Sequence, residues 1–200
     1  AGMVLEVDDA YTAGVINKSI SNLTLTAQYA VVKDVAKWDD VDVYYTEANY
    51  VLPVAGFKLG LDANFRGSHT GDGLLNGISM KALQLDGTYT AGRISVSELA
   101  GFGFSFAAGT VSKDDSVVAG MGNGPTSYTS TMIRGTSTRM MADTDSYLFA
   151  ATYDFSKIGV AGLTALAQYG WTSEGKNAKV IGSGVTPSTA NAADYTNIAV

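Results

Sequence analysis

The charged side chains best placed to act together lie at regular spacing in the segment FKLGLDANFR. Lys58, Asp62 and Arg66 recur every four residues. In an extended strand this spacing puts all three on one face, with about 13 Å between neighbours at about 3.3 Å per residue. The spacing therefore predicts a ladder of charges along one side of a strand.

Residues suited to catalysis are few. Ser68 lies beside His69 in RGSHT, but adjacent residues on a strand or loop rarely supply the geometry between a nucleophile and its base. The segment GFSFA around Ser105 lacks the last glycine of a nucleophile elbow. We expect His69 on an outer loop, no catalytic residue and no enzymatic activity.

Metal ions, cofactors and nucleic acid are poor candidates for ligands. The chain has no cysteine and one histidine, which excludes disulfides and cysteine-based metal sites. The acidic clusters WDDVD, KDDS and DTDS could bind calcium, but none has the spacing and glycine of an EF-hand, so solvated loop charge is the favoured interpretation. We expect no cofactor and no metal. A net charge of −6 without a basic stripe argues against nucleic acid as a partner.

The elements that would position the ladder are strands. Charged residues make up 16% of the chain, against about 25% in ordinary domains, and no window approaches the roughly 20 apolar residues of a membrane helix. The N-terminal AGMVLEVDD lacks a basic start followed by an apolar run, so we expect no signal peptide there. Apolar and polar side chains instead alternate in NLTLTAQYAVV, and this period of two dominates the sequence.

Roughly nine strands follow from the alternation. They are predicted at 10–16, 22–32, 44–52, 57–66, 82–90, 102–110, 147–155, 163–171 and from about 194. The connectors alternate between short ones (NKSIS, PVAG, AGRISVSELAG and SKIGVAG) and long ones (KDVAKWDD, GSHTGDGLLNGIS, 112–146 and 173–193). Long loops at one end only are typical of outer-membrane barrels and favour one over a soluble β-sandwich.

We therefore predict an all-β fold, a transmembrane antiparallel β-barrel. An odd number of strands cannot close a bacterial barrel. Residues 1–200 are accordingly interpreted as a partial barrel domain with a long outer loop at 112–146. A complete barrel of about 16 to 18 strands would be wide enough for an aqueous lumen, whereas about 8 strands fill their interior with side chains.

The polar side chains that alternate with the apolar ones along each strand would line that lumen. The candidates are Glu47, Lys58, Asp62, Arg66, Asp86 and Gln168. Loop 112–146 is far longer than an ordinary connector, and its charges of both signs suit either a constriction or a solvated surface loop. These charges are Lys113, Asp114, Asp115, Arg134, Arg139, Asp143 and Asp145. Four methionines in the loop indicate that part of it packs, and both alternatives stay open.

Strand register follows if the turn 53–56 joins its strands symmetrically. Tyr44 would then face Phe65, with aromatic side chains at both ends of the hairpin, where a barrel carries its two aromatic girdles. The same register places Glu47 opposite Asp62. This pair predicts either a cation-attracting spot or a network neutralised by Lys58 or Arg66, and we favour the network.

The segments SISNLTLTAQYA and ATYDFSKIGVAGLTALAQYGW resemble the OprD-type porins of Gram-negative outer membranes and the related major porins of epsilonproteobacteria. The family pattern is a Tyr-Asp-Phe strand end, a Gly-x-x-Gly-Leu turn and a strand ending in Arg-Tyr. The matching positions are Tyr153, Asp154, Phe155, Gly159, Gly162, Leu163, Gln168 and Tyr169. Gln168 departs from a frequent basic residue, so the substrate class does not carry over, and Ala161 departs from the usual proline of the turn, which bears only on rigidity.

The resemblance implies half of an 18-stranded porin that lets small hydrophilic solutes and ions diffuse passively. It further implies an outer-membrane location, with lipid bilayer and lipopolysaccharide around the barrel, and a homotrimer. The alternative is a structural or adhesive outer-membrane barrel with a closed lumen.

Overall fold

A computed structural model describes residues 9–35, 39–71, 74–75, 78–79, 85–118, 127–130, 141–174, 179–181, 187–189 and 195–199. The strands are β1 Asp9–Asn17, β2 Leu23–Val35, β3 Asp39–Val54, β4 Phe57–Thr70, β5 Leu74–Leu75, β6 Ile78–Ser79, β7 Thr88–Leu99, β8 Phe102–Val111, β9 Thr144–Asp154, β10 Thr164–Glu174, β11 Lys179–Ile181, β12 Pro187–Thr189 and β13 Tyr195–Ala199. A short 3-10 helix spans Phe155–Ile158. Among the described residues, no helix is long and apolar enough to cross a membrane.

Nine of these strands form one sheet in the order β1-β2-β3-β4-β7-β8-β9-β10-β13. Every neighbouring pair in it is antiparallel. The two remaining pairs, β5 with β6 and β11 with β12, are small separate hairpins. The all-β antiparallel meander that the alternation predicted is thus confirmed.

Several predicted boundaries are wrong because the strands extend further than the alternation. β7 spans Thr88–Leu99, so the segment AGRISVSELAG is mostly strand and not a connector. Only residues 36–38 separate β2 from β3, so KDVAKWDD is not a long loop. β4 continues to Thr70, which places His69 on a strand and not on an outer loop.

The predicted register between β3 and β4 is also wrong, by two residues. Val54 pairs with Phe57, so the turn contains only two residues, and Gly56 adopts a φ of 89° that favours glycine. Glu47 therefore faces Asn64 and not Asp62. Tyr44 still contacts Phe65, diagonally, with ring centroids 5.9 Å apart.

The two faces of the sheet are inverted relative to a soluble protein. We call the face that carries Arg66 the inner face and the opposite one the outer face. Large apolar side chains are exposed on the outer face, including Leu61, Phe65, Ile94, Phe104, Phe149 and Tyr169. The buried side chains of the inner face include Asn64, Arg66, Ser68, Ser146 and Thr172. Soluble proteins seldom expose so large an apolar surface, whereas a lipid-facing barrel requires it.

Aromatic rings on the outer face gather near both ends of the strands. We call the end with connectors 55–56 and 100–101 the turn end, and the end with connector 112–143 the loop end. Tyr147 stacks on Trp171 with centroids 5.0 Å apart near the loop end. Phe102 lies 4.5 Å from Tyr153 at the turn end. The rings lie as the two aromatic girdles of a membrane barrel do.

Candidate pore wall and inward-folded loop

Lys58, Asp62 and Arg66 share the inner face, but each has its own surroundings. Lys58 pairs with Glu98 at 2.5 Å at the turn end. Asp62 accepts a hydrogen bond from Arg93 Nε at 2.7 Å. The three charged residues therefore lie in one row, as predicted, but Lys58 and Asp62 pair with residues outside that row.

Asp62, the carboxylate of this row, is almost fully enclosed. Its side chain is only 7% exposed, and Asn49 Nδ2 donates a second hydrogen bond to it at 2.9 Å. A carboxylate so buried is tolerated because it is both charge-paired and hydrogen-bonded. The neutralising cation is Arg93, so the predicted assignment of this role to Lys58 or Arg66 is wrong for Asp62.

Arg66 lies between two tyrosine rings at the loop end of the wall. It occupies the register position between Tyr45 and Tyr89 on the neighbouring strands. Its guanidinium is 5.1 Å from the Tyr45 ring centroid and 5.6 Å from that of Tyr89, within the range of cation–π attraction. With only 1% of the residue exposed, its charge is covered by protein.

Part of the long connector lies against this wall. Ser127, Tyr128 and Thr129 are buried at 4%, 9% and 0% exposure. Thr129 Oγ1 lies 2.8 Å from Ser146 Oγ of β9, and Ser127 Oγ hydrogen-bonds the Tyr89 hydroxyl of β7. We call residues 127–130 the inner segment, since it lies on the inner face.

The inner segment lies over two adjacent rows of inner-face residues. Each row is made of residues that pair with one another across neighbouring strands. One row contains Glu47, Asn64, Ala91, Gly109 and Ser146, and the next contains Asn49, Asp62, Arg93, Ala107 and Leu148. Small residues in both rows leave a recess. Tyr128 packs there in one buried cluster with Tyr89, Ala91, Ala107, Val111, Val117 and Leu148.

Tyr128 combines a charged and a neutral contact with the wall. Arg93 lies 4.6 Å from its ring centroid, and Asn49 Nδ2 donates to its hydroxyl at 3.3 Å. Its hydroxyl also hydrogen-bonds Glu47. Burial, and then the hydrogen bond with Glu47, raises the pKa of Tyr128, which keeps the hydroxyl protonated as a donor.

The remaining predicted wall residues lie apart from this centre. Asp86 lies outside the strands in an isolated bridge to Val117, so its predicted place on a strand is wrong. Its carboxylate accepts from the Thr70 amide at 2.6 Å and lies 3.6 Å from His69 Nδ1. Gln168 is on the inner face of β10, where its Oε1 is buried without a partner among the described residues.

The predicted loop charges that the structure describes differ in their exposure. Lys113 and Asp114 are exposed, and Asp145 is exposed on β9. Asp115 and Asp143 are half-buried near the ends of the connector, and Arg134 and Arg139 lie outside the described residues. No three potential metal-binding side chains gather anywhere in the described part of the chain.

Sequence reasoning missed Arg93 and Tyr128. Arg93 lay in a stretch interpreted as a connector, although Arg93, Ser95 and Ser97 alternate with Gly92, Ile94 and Val96 and could have been identified as a strand. Tyr128 has no local signal, because its partners Glu47 and Asn49 lie about 80 positions earlier.

Comparison with known proteins shows the fold. No family model matches the chain, and no curated protein matches it. It is similar to the crystal structures of three Pseudomonas aeruginosa proteins: OpdL (TM-score 0.67, 18% identity, 84% of this chain and 43% of that chain), OccK8, also called OprE (0.66, 20%, 84% and 44%), and the outer-membrane protein OprD (0.66, 20%, 88% and 42%). The chain therefore spans less than half the length of these structures.

The sheet has the fold of part of an outer-membrane porin barrel, as the alternation and the loop asymmetry predicted. The likeness is to Pseudomonas barrels of the OprD type at low identity. It extends through most of the nine-stranded sheet, because between 84% and 88% of this chain is covered.

Proposed function

We propose that this chain forms part of an outer-membrane porin, a water-filled channel through which small hydrophilic solutes and ions diffuse passively. The observation that carries the proposal is the inverted sheet. Its outer face exposes Leu61, Ile94 and Phe149, while the inner face buries Asn64, Arg66 and Thr172. A wall between lipid and the water of a lumen stabilises both faces at once.

Residues 1–200 are on this proposal a partial barrel domain. The wall residues are the predicted Glu47, Lys58, Asp62, Arg66 and Gln168, joined by Arg93, whereas Asp86 lies outside the strands. The inner segment supports the idea that the long connector narrows the lumen, because residues 127–129 are fixed on the wall by hydrogen bonds from two strands. The lipid bilayer and lipopolysaccharide would surround the outer face, and the assembly would be a homotrimer.

A closed structural or adhesive barrel is the competing function. Arg66, which is nearly fully covered, and the buried cluster around Tyr128 are compatible with an occluded wall in this region. Against it, Lys58 and Arg93 at inner-face positions keep 45% and 37% of their side chains exposed, as charges beside water would. Enzymatic activity has no supporting side-chain arrangement in the described residues.

Single-channel recording in planar bilayers tests the proposal directly. The full-length protein, refolded in detergent and checked for correct folding by its strand-rich circular dichroism, should give stepwise openings, in groups of three for a trimer. Folded protein that never conducts would overturn the channel and favour the closed barrel.

A further inference from the structure

The inner segment has one side chain that interacts with the wall through both its ring and its hydroxyl. We propose that Tyr128 sets the width and the ion preference of the channel, by filling a recess in the wall and covering one charge of each sign. The inference rests on the proposed porin function, since it concerns the path that solutes would take. Tyr128 acts as a positioning residue for the loop and as a shield for Glu47 and Arg93.

The recess is formed by the sequence of the wall itself. Ala91, Ala107 and Gly109 lie on three inner-face positions of β7 and β8, and the buried Tyr89 and Leu148 lie beside them. The small side chains of Ala91 and Ala107 leave room for the Tyr128 ring, which is 9% exposed, while the space over Gly109 is filled by the Tyr89 ring. Such complementarity fixes the inner segment in one place, because packed interiors tolerate few alternatives.

The hydroxyl and the ring of Tyr128 contact opposite charges. The hydroxyl bonds Glu47 on β3 and accepts from Asn49 at 3.3 Å. The ring lies 4.6 Å from the guanidinium of Arg93 on β7. Since Arg93 also holds Asp62, Tyr128 links three strands and covers part of Glu47 and part of Arg93 together.

The two contacts can be separated by substitution. Tyr128→Phe keeps the ring over Arg93 and removes the donor to Glu47, so the Glu47 carboxylate becomes available to passing cations. Tyr128→Ala removes both contacts and empties the recess, so the inner segment loses its main anchor. Width and ion preference should therefore respond differently to the two variants.

The experiment records single-channel conductance and reversal potential in a salt gradient, using the full-length protein and these two variants. We expect Tyr128→Phe to keep the wild-type conductance and raise the cation-to-anion permeability ratio by up to about sevenfold, as one uncovered unit charge would near the path. We expect Tyr128→Ala to raise the conductance and the open-channel noise. Tyr147→Phe, which removes a hydroxyl from the outer face, should match the wild type in both readouts.

A second substitution distinguishes shielding of Glu47 from a general loss of structure. In a Glu47→Gln background, Tyr128→Phe should no longer shift the reversal potential, because the carboxylate that it uncovers is gone. An unchanged shift in that background, or wild-type conductance and reversal potential in both Tyr128 variants, would overturn the inference. Failure of the wild type to conduct would instead overturn the proposed function on which it rests.

Discussion

Arg93 Nε donates to Asp62 Oδ2 at 2.7 Å, and the two residues are directly opposed in the register of β4 and β7. The pair lies on the inner face, where Asp62 is nearly covered and Arg93 keeps 37% of its side chain exposed. Because each charge compensates the other, removal of either one leaves a single uncompensated charge on the wall. The sign of that charge depends on which residue is removed.

Neutralising the two partners separately should shift ion preference in opposite directions. Asp62→Asn leaves the Arg93 cation and should favour anions, whereas Arg93→Gln leaves the Asp62 carboxylate and should favour cations. A unit charge about 7 Å from the ion path attracts one ion and repels the other by about 0.6 kcal/mol each in water, which changes the permeability ratio by about sevenfold. Reversal potentials of the full-length channel in a gradient of low salt measure both shifts.

The double variant is the internal control for this pair. Asp62→Asn combined with Arg93→Gln should return the reversal potential close to that of the wild type, since the wall is again uncharged at this point. At about 1 M salt, where the Debye length falls to about 3 Å, the shifts of both single variants should shrink. Shifts of the same sign in the two single variants would contradict the pairing.

The assignment of lipid and water to the two faces can be tested at neighbouring positions of β7. Ile94 is 49% exposed on the outer face, and Ser95 is on the inner face, opposite Ser105 of β8. Ile94→Arg should make folding into lipid vesicles less favourable by about 2–4 kcal/mol, the cost of a cation on the lipid face near the midplane. Folding yield against urea concentration measures this loss.

Ser95→Arg is the matched control, because it adds the same side chain to the same strand. It should fold with nearly wild-type stability and shift the reversal potential toward anions. Equal destabilisation by Ile94→Arg and Ser95→Arg would mean that both faces are packed against protein, as in a soluble sandwich.

The alternation of side chains predicted the faces of the sheet, but it could not predict the register. Leu61 and Asp62 point to opposite faces in any register, because successive residues of a strand always do. Register depends on turn length, and a two-residue turn at Ala55 and Gly56 in place of four shifts Glu47 from Asp62 to Asn64. The sequence PVAG is compatible with either turn.

The central contacts of the candidate site are set by distant parts of the chain. Asn49 and Tyr128 are 79 positions apart, and nothing in the alternation of β3 indicates which loop residue will contact Asn49. What the sequence does contain is the recess, since Ala91 and Ala107, against which Tyr128 packs, are small residues at inner positions. Those positions become informative only when the register places them side by side.

Gly109 is required on β8 by the side chain of Tyr89. A Cβ added at Gly109 would collide with the Tyr89 ring, which is fully buried and whose hydroxyl is held by Ser127. Gly109→Ala should therefore displace the ring and destabilise the barrel by about 1–3 kcal/mol, as overpacking does. Urea unfolding in detergent micelles measures the change.

Gly92→Ala is the matched control on the paired strand. A Cβ added at Gly92 meets its nearest atom, the Asp62 carbonyl oxygen, at an ordinary 3.7 Å. This variant should unfold at the urea concentration of the wild type. A Gly109→Ala variant as stable as Gly92→Ala would show that the Tyr89 ring can be displaced without loss of stability.

The position of the inner segment can be fixed covalently, because the chain contains no cysteine. Thr129 Oγ1 and Ser146 Oγ lie 2.8 Å apart, which places the two side chains within reach of a disulfide. Thr129→Cys combined with Ser146→Cys should form that bond under oxidising conditions, visible as a reductant-dependent shift on a denaturing gel. The oxidised channel should keep the wild-type conductance, since the bond holds the segment where it already lies. The control is Thr129→Cys combined with Ser105→Cys, which should stay reduced because Ser105 lies nearer the turn end. Efficient crosslinking of both pairs, or a conductance that changes only when the Thr129–Ser146 bond closes, would mean that the segment does not normally rest on this wall.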